Sequence, residues 1–368
     1  MFNEICELLK NPTRRCVDNK LQSLKGQSVL IYGAGSYGKE VYDLLSDHGI
    51  TVSAFLDRNA HYIDKINNTE IYTLEEYPGD RNVTVFFSIV CGKSIRESII
   101  NELKENKYTC IVESQSIRCL MVDFSAECHS NADTIIDNIK SAYNLMSDDK
   151  SRDIFLNNIY AHLSGDYSRC ADYEDETNDQ YFPQDIDEMM DYSVFVDCGG
   201  FIGDTVQAVM ERYIPETIVS FEPNIDNYMR LSQTCDELNT QTKFILYNNA
   251  VSDTVSQQYF QSGTGSGKIS ENGDKIINTV SIDKAFYGIH PTFIKMDIEG
   301  AEIDALNGAE RTIHSDRPTM AVCVYHNIDH IWRIPLLLNK INNGYRFYLR
   351  SYNSYTMETV LYAIDGSR

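Results

Sequence analysis

Bases are scarce in this chain of 368 residues: 32 Lys and Arg stand against 54 Asp and Glu, a formal net charge of −22. That deficit argues against a protein whose main business is gripping nucleic-acid phosphates or an anionic membrane surface. Cysteine is sparse too. Ten in 368 residues, none spaced Cys-x-x-Cys, leave no disulfide scaffold, zinc ribbon or thioredoxin motif, and read as mostly buried, reduced thiols. Long apolar runs are missing. The longest, VTVFFSIV from Val83 to Val90, falls far short of the ~20 residues a bilayer span needs and suits a buried strand. The opening MFNEICELLKNPTRRC mixes acids, bases and a proline, so it lacks the apolar core of a secretory signal. A soluble cytoplasmic protein without a membrane span is expected. With 42% hydrophobic and 11% aromatic residues the chain is ordinary globular material rather than disordered. At roughly 100–200 residues per domain, its length predicts two domains.

Two strand, glycine loop, helix patterns divide it. The first is SVLIYGAGSYG from Ser28 to Gly38, followed by KEVYDLLSDHG with Val41, Leu44 and Leu45 at helical spacing. A strand from Thr51 to Leu56 then ends on Asp57, Val83 to Ile89 makes a further strand, Ser94 to Glu105 a helix and Cys110 to Val112 a short strand. The second pattern begins at Ser193, delivers Asp197 into the turn Cys198 to Asp204, and enters a helix from Thr205 to about Arg212. Strands Thr217 to Phe221, Lys243 to Tyr247 and Thr292 to Met296 follow, with a helix near Asp226 to Leu238 between the first two. Alternating units at this spacing predict an α/β protein with two Rossmann-like domains, the second a doubly wound parallel sheet. The expected division is a small Rossmann-like domain over 1–116, a helical and acidic linker or lid over 117–192, and the second domain over 193–368. From Ser164 to Tyr192 ten acids face one base, Arg169. That run reads as a solvated linker or loop, or, through Asp179-Gln180-Tyr181-Phe182-Pro183, as part of a lid over the second domain's site, since two adjacent aromatics in so polar a run want something to pack on. Ser262 to Gly267 reads as a flexible loop.

The second glycine loop carries the stronger chemical signal. A strand that delivers an acid into a glycine turn before a helix can hold an adenosyl ligand, because glycines admit the ligand to the backbone and the helix supplies free N–H groups. Asp197 would repel a pyrophosphate and attract a cationic, amine-bearing ligand such as S-adenosylmethionine. Gly199, Gly203, Asp204 and Thr205 shape the turn and the first helical turn. Glu222, at the end of the next strand, is placed to accept hydrogen bonds from ribose hydroxyls, and Asn249 and Ala250, after the third, to line adenine. Ligands of open α/β sheets bind beyond the carboxyl ends of the strands, where all of these residues fall.

These segments resemble the FkbM family of S-adenosylmethionine-dependent methyltransferases: VDCGGFIGDTV (196–206), SFEPNIDNYMRL (220–231), NNAVSD (248–253), INTVSIDKAF (277–286) and FIKMDIEGAE (293–302), in the family's order. The resemblance extends from about Ser130 to Ile364 and includes NLMSDDKSRDIF, QYFP and ETVLYA. Where the family often has an Ala-Asn pair, this chain has Gly200-Phe201. The resemblance implies a class I methyltransferase-type fold and transfer of a methyl group to a hydroxyl of a sugar, polyketide or other small acceptor, in surface-polysaccharide or secondary-metabolite biosynthesis. Such chemistry needs positioning and a base. Lys295, Asp297 and Glu299 alternate, which on a strand puts them on one face. Asp297, at the strand's end, would hold the methionine ammonium or accept the acceptor's proton. His326, just past another apolar strand, has an unperturbed pKa near 6.5 and reads as a base or as a structural histidine. Asp297, Glu299 and His326 could instead bind a divalent metal. Tyr325, His330 and Trp332 read as a pocket wall or as packing.

The first loop, Gly33, Gly35 and Gly38 with Asp57 nineteen residues on, has the context of a dinucleotide fingerprint and points to NAD. The domain is short, however, and looks like the small Rossmann-like domains ahead of some sugar-modifying enzymes, which hold a nucleotide or nucleotide sugar. A degenerate, ligand-free domain kept for oligomer contacts, as in a homodimer, or for orientation is the bland alternative. An NAD-dependent nucleotide-sugar oxidoreductase or epimerase is the rival enzyme, against which no Tyr-x-x-x-Lys pair stands in the right setting; a non-catalytic nucleotide-binding module is the third reading.

Overall fold

The computed structural model describes residues 1–10, 15–63, 65–114, 116–117, 131–238, 240–262, 267–269, 273, 275–353 and 355–367, without the side chains of 15–18, 171, 262 and 268. The centre of the loop expected at Ser262 to Gly267 and residues 118–130 of the expected linker lie outside them. Two compact units are present, one of 1–136, 156–177 and 351–357, the other of 137–155, 178–350 and 358–368. The chain passes between these units at 136/137, 155/156, 177/178, 350/351 and 357/358.

In the first unit five strands, β1 (Ser28–Tyr32), β2 (Thr51–Leu56), β3 (Ile71–Tyr72), β4 (Val85–Phe87) and β5 (Ile111–Glu113), form a sheet of order β3-β2-β1-β4-β5. Every described pairing in it is parallel. Side chains alternate as strand geometry requires. Val29, Ile31, Phe55 and Phe86 face one way, packing with Val41 and Leu45 of the helix Ser36–Asp47. Leu30, Tyr32, Leu56, Val85 and Phe87 face the other, with Ile99 and Leu103 of the helix Lys93–Glu105. Apolar residues on both faces explain why these strands read as continuous hydrophobic runs.

The second unit holds β6 (Val194–Cys198), β7 (Thr217–Phe221), β8 (Lys243–Tyr247), β9 (Ala250–Val251), β10 (Gln257–Ser262), β11 (Gly267–Ile269), β12 (Lys275–Val280), β13 (Phe293–Met296), β14 (Thr319–Cys323), β15 (Tyr345–Ser351) and β16 (Thr359–Asp365). Its main sheet has the order β15-β16-β14-β13-β6-β7-β8. The five strands from β14 to β8 are parallel. β16 runs antiparallel to β14, so the sheet is mixed rather than wholly parallel. β6, β7 and β8 grow outward in one direction and β13 and β14 in the other. The switch between β6 and β13 opens the crevice where open α/β sheets bind ligands. A smaller sheet of order β11-β10-β12-β9, unexpected from the sequence, fills the chain between β8 and β13.

Among the described residues no helix is long and apolar enough to cross a membrane. The described cysteines are free thiols: Cys170, Cys198, Cys235 and Cys323 are buried, Cys6 and Cys91 half-buried and Cys110 exposed.

Candidate functional site

At the carboxyl end of β6, Asp197 is wholly buried. Lys295 stands opposite it on β13, its Nζ 2.9 Å from Asp197 Oδ1 and donating to the Gly199 carbonyl at 2.7 Å. Burial pushes the Asp197 carboxyl up and Lys295 opposes that rise. Burial would lower Lys295, but Asp197 and Asp297 outweigh it and hold the ammonium charged. Asp197 is thus paired with Lys295, which offsets its repulsion of a pyrophosphate. Its Oδ2 nevertheless lacks a hydrogen bond, as does Ser220 Oγ, in register with it on β7.

The glycine loop is fixed by close approach. Gly199 has φ +91°, and a Cβ there would lie 2.0 Å from the Asp297 carbonyl oxygen. Gly203, also at φ +91°, caps the helix Asp204–Arg212, with Asp204 and Thr205 in its first turn. Glu222, after β7, braces this loop. Its Oε2 accepts the Phe201 N–H at 3.0 Å and its Oε1 the Asn224 N–H at 2.8 Å. Burial pushes the Glu222 carboxyl up to about 7 against these bonds and one from Asn227. After β8, Asn248 rather than Asn249 ties the turn, donating to the carbonyls of Glu222 and Pro223. Asn249 is half-buried, and Ala250 enters β9 opposite Thr279.

Across the switch, β13 ends at Met296. Lys295, Asp297 and Glu299 therefore do not share one face of a strand. The chain turns through Glu299 at φ +57° and Gly300 at φ +102°, sending Lys295 inward to Asp197. Asp297 stays 25% exposed and Glu299 37%. Asp297 collects three partners. Tyr181 Oη donates to Oδ2 at 2.9 Å, Tyr325 Oη to Oδ1 at 3.3 Å, and His326 Nε2 lies 3.4 Å from Oδ1. His326 Nε2 is also 3.6 Å from Glu299 Oε2 and makes no hydrogen bond. Its Nδ1 meets Glu302 Oε1 at 2.8 Å. Glu302 is fully buried, accepts the N–H groups of Ile298 and Gly300, and lies 3.2 Å from His330 Nδ1.

Charge follows from this geometry. Burial would lower His326, but Glu302, Asp297 and Glu299 raise it to about 9. The expectation of an unperturbed imidazole is thus corrected. Burial opposes ionisation of Glu302, yet His326 and His330 hold it well below the usual carboxylate range. Burial and the Asp297 charge push the Tyr181 and Tyr325 hydroxyls well up, keeping both as donors.

The structure thus brings Asp297, Glu299 and His326 together, adds Tyr181 from the segment read as part of a lid, and adds Glu302, which the sequence reading did not single out. EGAE was its signal: a second acid three residues after Glu299. Phe182 packs on Tyr192 and Tyr213, so QYFP is a fixed wall here. His330 and Trp332 are buried on the helix His330–Ile341, while Tyr325 reaches Asp297. Among the described residues no group of three or more His, Cys, Asp or Glu is arranged to hold a metal ion.

In the first unit, Gly33 (φ +106°) and Gly38 are demanded by packing: a Cβ at Gly38 would lie 2.0 Å from the Gly33 carbonyl oxygen. Gly35 has nothing within 4 Å of that position. Asp57 accepts the Ala34 N–H at 2.9 Å and the Asn59 N–H at 2.8 Å, so it braces the loop as Glu222 braces the other.

Residues 197–353 match the methyltransferase FkbM domain, and residues 28–109 the PglD N-terminal domain. No curated protein matches the chain. Among solved structures the chain is similar to methyltransferase FkbM from Methylobacillus flagellatus KT, with 18% identity, 98% of each chain covered and a TM-score of 0.70, a likeness of fold. A methyltransferase from Geobacter sulfurreducens aligns over 64% of this chain and 91% of its own, with 10% identity and a TM-score of 0.31.

Proposed function

Starting from a chain that carries a methyltransferase FkbM domain, we propose an S-adenosylmethionine-dependent O-methyltransferase acting on a hydroxyl of a sugar or other small acceptor. One observation carries the reading: His326, its Nδ1 held by buried Glu302, presents an Nε2 without a hydrogen bond beside Asp297 at the crevice of the main sheet. That is the arrangement of an oriented general base.

The residues present fit the cofactor. Glu222 is anchored by two backbone N–H groups and keeps lone pairs free for ribose hydroxyls. The buried, unbonded Asp197 Oδ2 fits an ordered water between strand and ligand. The partly exposed Asp297 supplies negative charge for an ammonium or sulfonium group. When bound, S-adenosylmethionine supplies a methyl group open to in-line displacement. His326 in its neutral form takes the acceptor hydroxyl's proton at Nε2, and Glu302 stabilises the imidazolium that results. Asp297, fixed by Tyr181 and Tyr325, orients His326 and holds positive charge near it. For the first domain, the open space at Gly35 favours a nucleotide, as NAD or a nucleotide sugar.

Calorimetric titration of the full chain with S-adenosylmethionine and, separately, with NAD tests the reading. We expect S-adenosylmethionine to bind in a manner abolished or weakened by Glu222→Ala, by about 1–3 kcal/mol for lost charge-assisted bonds. Binding of NAD alone would sink it and return the oxidoreductase reading.

A further inference from the structure

Tyr181, Glu299 and Glu358 approach Asp297 from separate loops, each with a left-handed backbone, at φ +71°, +57° and +54°. Side chains other than Gly seldom adopt this region, and where they do the surrounding structure must enforce it, most often at functional sites. Tyr181 and Glu299 already belong to the site; Glu358 has no part in it so far.

Glu358 immediately precedes β16, which lies antiparallel beside β14 with Val360 opposite Cys323. It is thereby carried to the same sheet edge as Tyr325 and His326. Its Oε2 accepts a hydrogen bond from Gln180 Nε2 at 2.7 Å, and Tyr325 also bonds to its carboxyl. Gln180 Nε2 lies 3.3 Å from Tyr181 Oη. Burial and the Asp297 charge push the Glu358 carboxyl up.

The strand order assigns this cluster a side. Asp197 and Glu222 stand over β6 and β7, whereas Asp297, His326 and Glu358 stand over β13, β14 and the start of β16, across the switch. On the methyltransferase reading, on which this inference rests, that second side is left for the acceptor. The groups facing Glu358 there are Asp297, Gln180, Tyr181, Cys323, Tyr325 and His326. The one cation among them, His326, lies beside Asp297, Glu299 and Glu302. Acids outnumber it, so a carboxylate or phosphate brought to this end would meet a net negative charge, while a hydroxyl would find both donors and acceptors.

We propose that Glu358 and Gln180 form the acceptor-selecting end of the site, binding a hydroxyl that neighbours the methylated one and rejecting acceptors with an anionic group in its place. Specificity here is a difference of affinities built partly from repulsion.

The test uses the full chain with S-adenosylmethionine and two probes, methyl α-glucopyranoside and the methyl glycoside of glucuronic acid, following release of S-adenosylhomocysteine. Turnover of the neutral glycoside is expected, with the uronate at least about tenfold slower. Glu358→Gln should shrink that gap by about tenfold, and Gln180→Ala should raise KM for the neutral glycoside with kcat retained. Calorimetric binding of S-adenosylmethionine by both variants shows that they fold. The same preference in both variants, with the cofactor still bound, overturns the proposal. So does failure of both glycosides while the wild type binds S-adenosylmethionine, which leaves the methyltransferase reading standing; a wild type that does not bind it brings down both.

Discussion

Lys295 and Asp197 are both buried and directly paired, so removing one strands the other. Lys295→Met should destabilise the second unit by about 3–5 kcal/mol, the usual cost of an uncompensated buried charge. Adding Asp197→Asn should recover part of the loss, and urea unfolding of the two variants measures both. His326 gives a pH dependence whose sign is fixed. Its pKa is raised from 6.5 to about 9 in the folded chain. The stability this confers is therefore complete below 6.5 and is lost as pH rises through about 9, about 3 kcal/mol in all. Glu222, raised from 4.5 to about 7, adds a loss of the same sign at lower pH. The base role predicts the opposite course for catalysis, with kcat/KM rising over the window in which stability falls. Glu302→Gln should move the alkaline rise toward pH 6.5, because the largest partner raising His326 is gone. A pH–rate profile unmoved by this change would remove Glu302 as the residue that positions His326.

At the level of elements, both glycine loops are built to one plan, which the sequence displayed only in part. An acid closing the second strand of each unit, Asp57 or Glu222, accepts one N–H from the glycine loop and one from its own following turn. Reading these acids as ribose ligands was natural from spacing; their work as braces emerges only when two loops are seen together. Strands Thr217–Phe221 and Lys243–Tyr247 were legible to the residue because each is an apolar run bounded by polar turns. The small β9 to β12 sheet was not, since its strands are short and lie within a polar stretch, β12 alternating exposed and buried residues. Period two also misled at Asp297, where the strand stops a residue earlier and a left-handed Glu299 redirects the chain. The glycines of the first loop differ in what they do, and this is testable. Gly38→Ala should be strongly destabilising, as its Cβ would collide with the Gly33 carbonyl. Gly35→Ala, opening on free space, should leave the thermal midpoint within the roughly 0.5 kcal/mol scatter of surface changes. If the first unit holds a nucleotide, the same variant should weaken binding of NAD or UDP-glucose, whichever of the two the wild type takes in calorimetry.

On the scale of the whole molecule, length predicts two domains, and the chain passes between its two compact units more than once. The acidic run from Ser164 to Tyr192, which sequence alone read as linker or lid, is shared out between both units, with 178 onward belonging to the second. The reason lies in Arg350. This guanidinium is 1% exposed and is held by Asp148 at 2.8 Å, ahead of that run, and by Asp185 at 2.8 Å, within it. Ser151 adds hydrogen bonds to Arg350 and to the Leu349 backbone, and Ser147 to that of Phe347. Local composition could not reveal such partners, 165 and 202 residues distant for Asp185 and Asp148, because a run of acids looks alike whether solvated or bound to a buried arginine. A fragment cut at the sequence-drawn boundary, 193–368, would keep Arg350 and lose every one of these groups. It should therefore fail to unfold cooperatively, while a fragment of 131–368, which retains Asp148, Ser151 and Asp185, should show a sigmoidal urea transition by circular dichroism. Arg350→Met in the full chain separates the causes. If the buried charge and its distant acids hold the second unit together, the variant should lose several kcal/mol; a full chain indifferent to it would mean that the fragment fails for want of apolar packing by the preceding helices instead.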